Sequence, residues 1–162
     1  MADTVLYMEE LAAGLCRAGQ TLSTAESCTG GLLGGSLTDM PGSSAYYLGG
    51  VVSYANELKC ALLDVRAESI RLYGAVSEVV AKEMAAGARR VTGSDWSLSV
   101  TGVAGPGAAE NKPAGLVWIG LAGPGLLWAG EFRFSGGRRE VRRQAVEKAI
   151  FLLAKKLRPA IL

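Results

Sequence analysis

A serine and a cysteine stand side by side where the flanking residues predict a sharp turn. Residues 21–25 alternate hydroxyl and apolar side chains, which is typical of a short strand, and residues 32–37 suit a short helix. Between them, Ser27 and Cys28 are exposed on the turn, and the glycines that follow let the backbone approach a ligand closely. A hydroxyl here can serve as a nucleophile, with the N–H groups of the new helix stabilising the oxyanion. A hydroxyl-rich helix N-cap is the alternative interpretation.

The chain contains no histidine. A Ser-His-Asp triad, a Cys-His pair and a histidine-ligated zinc site are therefore excluded, and a general base must be Lys, Glu, Asp or Tyr. Lys59 is a candidate, because residues 56–63 predict a short helix whose first turn contains it. The positive end of the helix dipole favours the neutral amine there. An ordinary surface lysine is the alternative interpretation.

A second glycine-rich segment, residues 102–107, follows a strand predicted over residues 95–101. Neither glycine-rich segment has the spacing of a dinucleotide-binding or P-loop motif. Arg138 directly follows two glycines at the start of a predicted helix, where it can contact a phosphate, although it can also belong to a solvated arginine-rich face. The combination favours a serine or cysteine nucleophile with a lysine base acting on an anionic substrate.

The elements that must position these residues alternate between strands and helices. A second strand is predicted over residues 45–55, and residues 64–73 are expected to be a linking segment with some helical period. Ser77 is expected to cap a long helix over residues 78–91, and a final hairpin over residues 115–134 precedes the last helix. This order predicts an α/β fold with a mostly parallel sheet, helices on both faces and one antiparallel strand from the hairpin. In such sheets ligands bind at the carboxyl ends of the strands. The Ser27 turn, residues 102–107 and residues 135–138 are expected to converge there.

The composition is that of one compact domain, and we expect residues 1–162 to form it. A net charge of +2 gives no reason to expect nucleic-acid or membrane binding. The uncharged run over residues 113–130 has the length of a membrane span, but its Gly-Pro-Gly predicts a hairpin turn. The three cysteines follow no metal or disulfide spacing and no leader-like segment is evident, so we expect a cytoplasmic location.

Seven segments, in order, carry a resemblance to a known family. They are TAESCTGG (residues 24–31), PGSSAY (41–46), VSYANELK (52–59), GAVSE (74–78), TGVAGPG (101–107), KPAGLVW (112–118) and FSGGR (134–138). Together they resemble the carboxyl-terminal domain of the competence/damage-inducible CinA proteins. The resemblance implies a three-layer α/β/α sandwich with a mixed five-stranded sheet, and a homodimer. It also implies nicotinamide-nucleotide amidohydrolase activity, which converts nicotinamide mononucleotide to nicotinate mononucleotide and ammonia without a metal or cofactor.

Carried over residue by residue, the resemblance makes Ser27 the nucleophile and Lys59 its base. Tyr54 and Ser44 would complete a hydrogen-bond relay, and Glu83 would be a supporting carboxylate. Chemistry alone would favour Cys28 as the nucleophile, because a thiolate is stronger than a serine hydroxyl. The family match decides for Ser27 and leaves Cys28 as a small buried hydrophobic residue.

On the substrate side, the resemblance makes Arg138 the ligand of the 5′-phosphate and Thr101 a ligand of the substrate or the oxyanion. The two glycine-rich loops are expected to supply the remaining substrate contacts, from Thr29, Gly30, Gly31, Gly102 and Gly105. Residues 107–111 contain less glycine and proline than the family pattern. Two other functions stay open: a nucleotide-sensing or partner-binding module without turnover, and an amidohydrolase acting on a different amide.

Overall fold

The computed structural model describes residues 2–158, with side chains from Val5 onward. Helices and strands alternate through most of this part of the chain. They are α1 (Ala2–Ala18), β1 (Leu22–Glu26), α2 (Leu32–Thr38), a 3₁₀ turn (Ser43–Ala45), β2 (Tyr47–Val52), α3 (Asn56–Leu63), α4 (Ala67–Tyr73), α5 (Glu78–Thr92), β3 (Trp96–Gly102), β4 (Leu116–Gly123), β5 (Leu126–Arg133) and α6 (Arg138–Leu157). None of the helices between residues 2 and 158 has the length and apolar character needed to cross a membrane.

Within these residues the strands form one five-stranded sheet in the order β2-β1-β3-β4-β5. β1 pairs in parallel with both β2 and β3, whereas β4 is antiparallel to β3 and to β5. β4 therefore runs against the other four strands. The prediction of a mixed, mostly parallel sheet with one antiparallel strand from the final hairpin is confirmed.

Helices cover both faces of the sheet. On one face, α1, α2 and α6 enclose a core in which Leu11, Leu33 and Ile150 are almost fully buried against Leu98 and Ile119 of the sheet. On the other face, α5 lies across the sheet and packs against α3 and α4. The predicted three-layer α/β/α sandwich is thus confirmed.

The contact between α5 and the centre of the sheet is made by small residues. Ser97 and Ser99 of β3 donate hydrogen bonds to the α5 carbonyls of Ala85 and Ala81, each at 2.6 Å. A Cβ atom on Gly120 of β4 would lie 2.5 Å from the carbonyl oxygen of Ala81, well inside contact distance. α5 therefore approaches β3 and β4 more closely than a layer of branched side chains would permit.

Two elements differ from the sequence prediction. The second strand was expected to begin at Ala45, but residues 43–45 form a 3₁₀ turn and β2 begins at Tyr47. Residues 64–73 were expected to be a linking segment with some helical period, and Ala67–Tyr73 forms α4. Gly42, at φ 83°, directly precedes the 3₁₀ turn, and Gly74, at φ 79°, directly follows α4.

Candidate active site

The turn carrying Ser27 begins at the carboxyl end of β1. The Ser27 N–H donates to the Val100 carbonyl of β3 at 2.9 Å, and the Ser27 carbonyl accepts from the Gly30 N–H at 3.0 Å. Gly30 and Gly31 have φ values of 57° and 98°, which side chains other than glycine adopt only with strain. The sequence therefore turns sharply here and leaves Ser27 at the end of a central, fully buried strand.

Glu26, immediately before the nucleophile candidate, caps the helix that follows. Its buried carboxylate accepts the N–H groups of Leu33 at 2.8 Å and Gly34 at 3.0 Å, in the first turn of α2. Among residues 2–158, the N–H groups of Cys28 and Thr29 donate to no backbone carbonyl. The N–H groups available near Ser27 therefore belong to the turn, and those inside α2 are occupied.

Lys59 reaches Ser27 from the predicted helix α3. Its Nζ lies 3.0 Å from Ser27 Oγ, 2.8 Å from the Ser53 carbonyl oxygen and 3.1 Å from the Tyr54 carbonyl oxygen. The side chain is almost fully buried, with 1% of the residue exposed. Burial lowers the pKa of Lys59 from its ordinary value of 10.5, and the Glu110 carboxylate is the largest opposing influence. The two carbonyls can take the two protons of a neutral amine, which leaves its lone pair facing the Ser27 hydroxyl.

Cys28 packs in the apolar core with 6% of the residue exposed, and it also lines the cavity beside Ser27. Burial raises the pKa of its thiol to about 11, against the opposing influences of a backbone N–H and the guanidinium groups of Arg142 and Arg138. A thiol in this state is not a thiolate at neutral pH.

A cavity of about 180 Å³ opens beside Ser27 and Lys59. Thr101 and Gly102, at the carboxyl end of β3, form one wall of it, and Thr101 Oγ1 donates to the Ala75 carbonyl at 2.9 Å. Twelve residues line it: Ser27, Cys28, Tyr54, Asn56, Lys59, Ala75, Val76, Thr101, Gly102, Val103, Ala109 and Glu110.

Arg138 lies beside this cavity as the first residue of α6. One guanidinium nitrogen donates to the Tyr54 hydroxyl at 2.9 Å, and another donates to the Gly105 carbonyl at 2.8 Å. Arg138 is exposed, so these contacts leave its guanidinium accessible to a ligand. The expected convergence of the three loops, after β1, after β3 and before α6, is therefore observed.

Thr29, Gly30 and Gly31, which were expected to contact the substrate, do not line this cavity. Thr29 is fully buried, and its carbonyl accepts a hydrogen bond from Arg142 Nη2 at 2.9 Å. Within residues 2–158, Thr29 Oγ1 has no hydrogen-bond partner. The turn after Ser27 is thus fastened to α6 through a main-chain oxygen.

Two residues expected in the site are placed elsewhere. β2 runs parallel to β1, with Tyr47 beside Leu22. Ser44 therefore precedes β2 at the opposite end of the sheet from Ser27, a strand length of roughly 17 Å away. Within one chain Ser44 cannot join a relay with Ser27.

Glu83 is the second of these, and it faces α4. Its carboxylate accepts from the Arg66 N–H at 3.1 Å, the Arg66 side chain at 2.6 Å and the Ser69 hydroxyl at 2.8 Å. These contacts hold the first turn of α4 against α5. The structure does not bring Glu83 to the cavity that Ser27 lines.

Two residues beside the turn and the cavity have no counterpart in the sequence predictions. Glu110 lines the cavity, although it lies in the segment that departs most from the family pattern. Arg142 was considered only as part of an arginine-rich helix start. A signal for Arg142 was its position one helical turn after Arg138, since residues four apart lie on the same helix face. No local pattern indicated Glu110.

The geometry defines a class of protein: a three-layer α/β/α domain with a buried serine–lysine pair at the carboxyl end of its central strand. Among residues 2–158, no three Cys, Asp or Glu side chains gather in a way that could hold a metal ion. The model of the CinA C-terminal domain family matches residues 6–157. The chain belongs to the CinA C-terminal domain family.

Relatives and solved structures agree with this assignment. A CinA-like protein of Trichodesmium erythraeum is 49% identical over 147 residues, and one of Gloeobacter violaceus is 50% identical over 159 residues. These alignments cover 88% and 96% of this chain, but only 35% and 37% of the relatives, so the chain spans about a third of their length. A CinA superfamily protein of Klebsiella pneumoniae has a crystal structure with a TM-score of 0.92 and 37% identity, covering 95% of this chain and 97% of that one. A competence/damage-inducible protein of Agrobacterium tumefaciens has a crystal structure with a TM-score of 0.85 and 39% sequence identity, covering 93% of this chain and 95% of that one.

Proposed function

We propose that this protein hydrolyses the carboxamide of nicotinamide mononucleotide, releasing nicotinate mononucleotide and ammonia through an acyl-enzyme on Ser27. The observation that carries the proposal is the 3.0 Å contact between Lys59 Nζ and Ser27 Oγ, made by a lysine that is almost fully buried. A serine is a weak nucleophile unless a base removes its proton, and a buried lysine with a lowered pKa can do so.

In the proposed mechanism, neutral Lys59 accepts the Ser27 proton as Oγ attacks the carboxamide carbon. The free N–H groups of Cys28 and Thr29 stabilise the tetrahedral oxyanion, and one such donor contributes about 2.7–4 kcal/mol in other acyl-transfer enzymes. The Lys59 ammonium then protonates the amide nitrogen, the C–N bond breaks and ammonia leaves. Water, deprotonated by Lys59, attacks the acyl-enzyme, which releases nicotinate mononucleotide and restores the Ser27 hydroxyl.

The size and charge of the site support a mononucleotide. Pockets for drug-sized ligands usually enclose about 300–1,000 Å³, whereas this cavity has about 180 Å³. It suits one ring with its amide, and the ribose phosphate would extend toward Arg138 at the start of α6. Arginine and a helix N-terminus both favour a phosphate.

The homodimer implied by the family resemblance and the cytoplasmic location expected from the cysteine pattern belong to the same proposal. So do the roles of Thr101 and the glycine loops as substrate contacts. Tyr54, expected in the hydrogen-bond relay, contacts Lys59 only through its backbone carbonyl, and because its hydroxyl accepts from Arg138 we assign it to orienting Arg138. Ser44 and Glu83 are not included, since neither lies near the cavity.

The test is incubation of the purified protein with nicotinamide mononucleotide and measurement of ammonia, with Ser27→Ala as the control. Ammonia release that depends on Ser27 supports the proposal. Binding of the nucleotide without ammonia release would instead support a sensing or partner-binding module. Ser27-dependent release of ammonia from other amides alone would indicate an amidohydrolase of different specificity.

A further inference from the structure

Glu110 occupies an unfavourable backbone conformation beside the serine–lysine pair. The Ala109 and Lys112 backbones exchange two hydrogen bonds at 3.0 and 2.9 Å, and the two residues between them, Glu110 and Asn111, have φ values of 52° and 58°. Asparagine tolerates this left-handed region, but glutamate rarely adopts it. Such conformations persist only where surrounding contacts hold them, and they concentrate at functional sites.

The Glu110 carboxylate is bound by the segment that precedes α5, which forms part of the cavity wall. Its carboxylate oxygens accept the N–H groups of Ala75 and Val76, each at 3.2 Å. Gly74 makes this approach feasible, because a Cβ there would lie 2.5 Å from a Glu110 carboxylate oxygen. The loop after β3 therefore packs closely against the segment before α5, and the Glu110 carboxylate makes the contact between them.

Lys112, in the same loop, also binds the segment before α5, and its side chain carries the opposite charge to Glu110. Its Nζ donates to the carbonyls of Tyr73 and Val76 and lies 3.6 Å from a Glu110 oxygen. Glu110 lines the cavity, however, and Lys112 does not. Among the described residues that line the cavity, Glu110 is thus the one carboxylate and Lys59 the one amine.

We propose that Glu110 is a positioning residue that stabilises the ammonium form of Lys59 when Ser27 gives up its proton. The proposal rests on the proposed serine–lysine mechanism. No carboxylate in the described chain contacts Lys59 Nζ directly, so the charge that develops there in the transition state is balanced across the cavity by Glu110. In a low-dielectric cavity this interaction is stronger than it would be in water.

Other ionisable groups near Lys59 also influence its pKa. Glu57 and Cys60 lie on α3 itself and Cys28 on the nucleophile turn, and each of them raises the pKa of Lys59 less than Glu110 does. Arg138 and Tyr54 lie at the far side, hydrogen-bonded to each other. A pH profile can therefore separate the effect of Glu110 from the loss of a loop contact.

The experiment measures the rate at which p-nitrophenyl acetate acylates Ser27 between pH 5 and 10, with Ser27→Ala as the blank. This ester reports on the serine–lysine pair whatever the natural amide is. We expect Glu110→Gln to lower the plateau rate of acylation by roughly 3- to 10-fold and to move its acid limb to lower pH by roughly 0.5–1 unit, because the lost carboxylate no longer favours ammonium. Lys112→Met, which removes the neighbouring tether and the opposite charge, is the matched control and should leave the limb in place or move it upward.

An acid limb that stays in place in Glu110→Gln, or moves in the same direction in both variants, would show that Glu110 only anchors the loop. Absence of any Ser27-dependent acylation in the unmodified protein would overturn the serine–lysine pair and this inference together. Normal acylation with no ammonia released from nicotinamide mononucleotide would overturn only the assigned substrate.

Discussion

At the scale of single residues, the environment assigns different chemistry to two neighbours on one turn. Ser27 faces a buried amine at 3.0 Å, whereas Cys28 lies in the apolar core with a thiol pKa raised to about 11. The intrinsic advantage of sulfur as a nucleophile is lost when the thiol stays protonated. Position, not intrinsic reactivity, therefore favours the serine.

We expect Ser27→Ala to lower kcat for ammonia release by on the order of 10⁶-fold, the scale seen when a serine nucleophile is removed from other hydrolases. Cys28→Ala should retain much of the activity and lose some stability, because it leaves a small void in the core. Ammonia assays and thermal unfolding of both variants check this. Full activity in Ser27→Ala combined with an inactive Cys28→Ala would reverse the assignment.

Arg138 is expected to serve substrate binding more than bond cleavage. Arg138→Ala should raise KM for nicotinamide mononucleotide roughly 10- to 100-fold, since hydrogen bonds to charged groups contribute about 1.5–3 kcal/mol. The dephosphorylated riboside, which lacks the phosphate, should be little affected. Arg139→Ala, at the neighbouring exposed position, is the control. Equal losses for the nucleotide and the riboside would mean that Arg138 acts through Tyr54 and Gly105 alone.

At the scale of elements, three carboxylates near the site differ in whether they line the cavity or only join parts of the fold. Glu26 caps α2 and Glu83 joins α4 to α5, and both are acceptors for protein donors. Glu110 also accepts two protein N–H groups, but of these three residues it is the one that lines the cavity beside Ser27 and Lys59. A carboxylate's type and position in the sequence do not separate these roles.

Glu83→Ala should lower the free energy of unfolding by about 1–3 kcal/mol, because three donors lose a charged partner. kcat for ammonia release should change little, since the carboxylate lies away from the cavity. Glu78→Ala, on the same helix, removes only a surface ion pair and should cost less than about 1 kcal/mol. A Glu83→Ala protein with normal stability and abolished turnover would restore the catalytic role expected from the sequence.

Much of the element order could be predicted from local patterns. Residues 56–63 are helical as predicted, and Ser77 caps α5 by accepting the Val80 N–H. Ser44 was placed wrongly because its motif does not reveal at which end of the sheet the serine lies. That position follows from the parallel register of β1 and β2, which the sequence does not show. Glu110 could not be found, because its place depends on a turn after β3 meeting a glycine before α5, 36 residues earlier in the chain (residue 110 compared with residue 74).

At the scale of the whole molecule, burying Lys59 makes folding depend on pH. The folded state lowers the pKa of Lys59, so between that value and the ordinary 10.5 the unfolded chain binds more protons than the folded one. The cost of burying Lys59 is therefore fully present below its folded pKa, and the free energy of unfolding rises as the pH increases from that value toward 10.5.

Lys59→Met should remove this slope. We expect the difference in free energy of unfolding between Lys59→Met and the unmodified protein to shift in favour of the unmodified protein as pH rises toward 10.5. Denaturant titrations of both proteins at several pH values measure it, and the shared titration of Cys28, Tyr46 and Tyr47 cancels in the difference. A difference that is constant with pH would mean that Lys59 titrates alike in both states.

With the proposed substrate, the Lys59 amine, which contacts two carbonyls and a hydroxyl, is also expected to couple ligand binding to proton release. A pyridinium ring entering the cavity brings a positive charge toward Nζ, which favours the neutral amine and expels a proton to solvent. The substrate would then help to create its own base. Calorimetry of nicotinamide mononucleotide binding to Ser27→Ala, in buffers of different ionisation enthalpy, should detect this proton release. The nucleotide phosphate, with a second pKa of about 6, can release protons of its own, so the Lys59 contribution is the decrease in proton release when Lys59→Met is added.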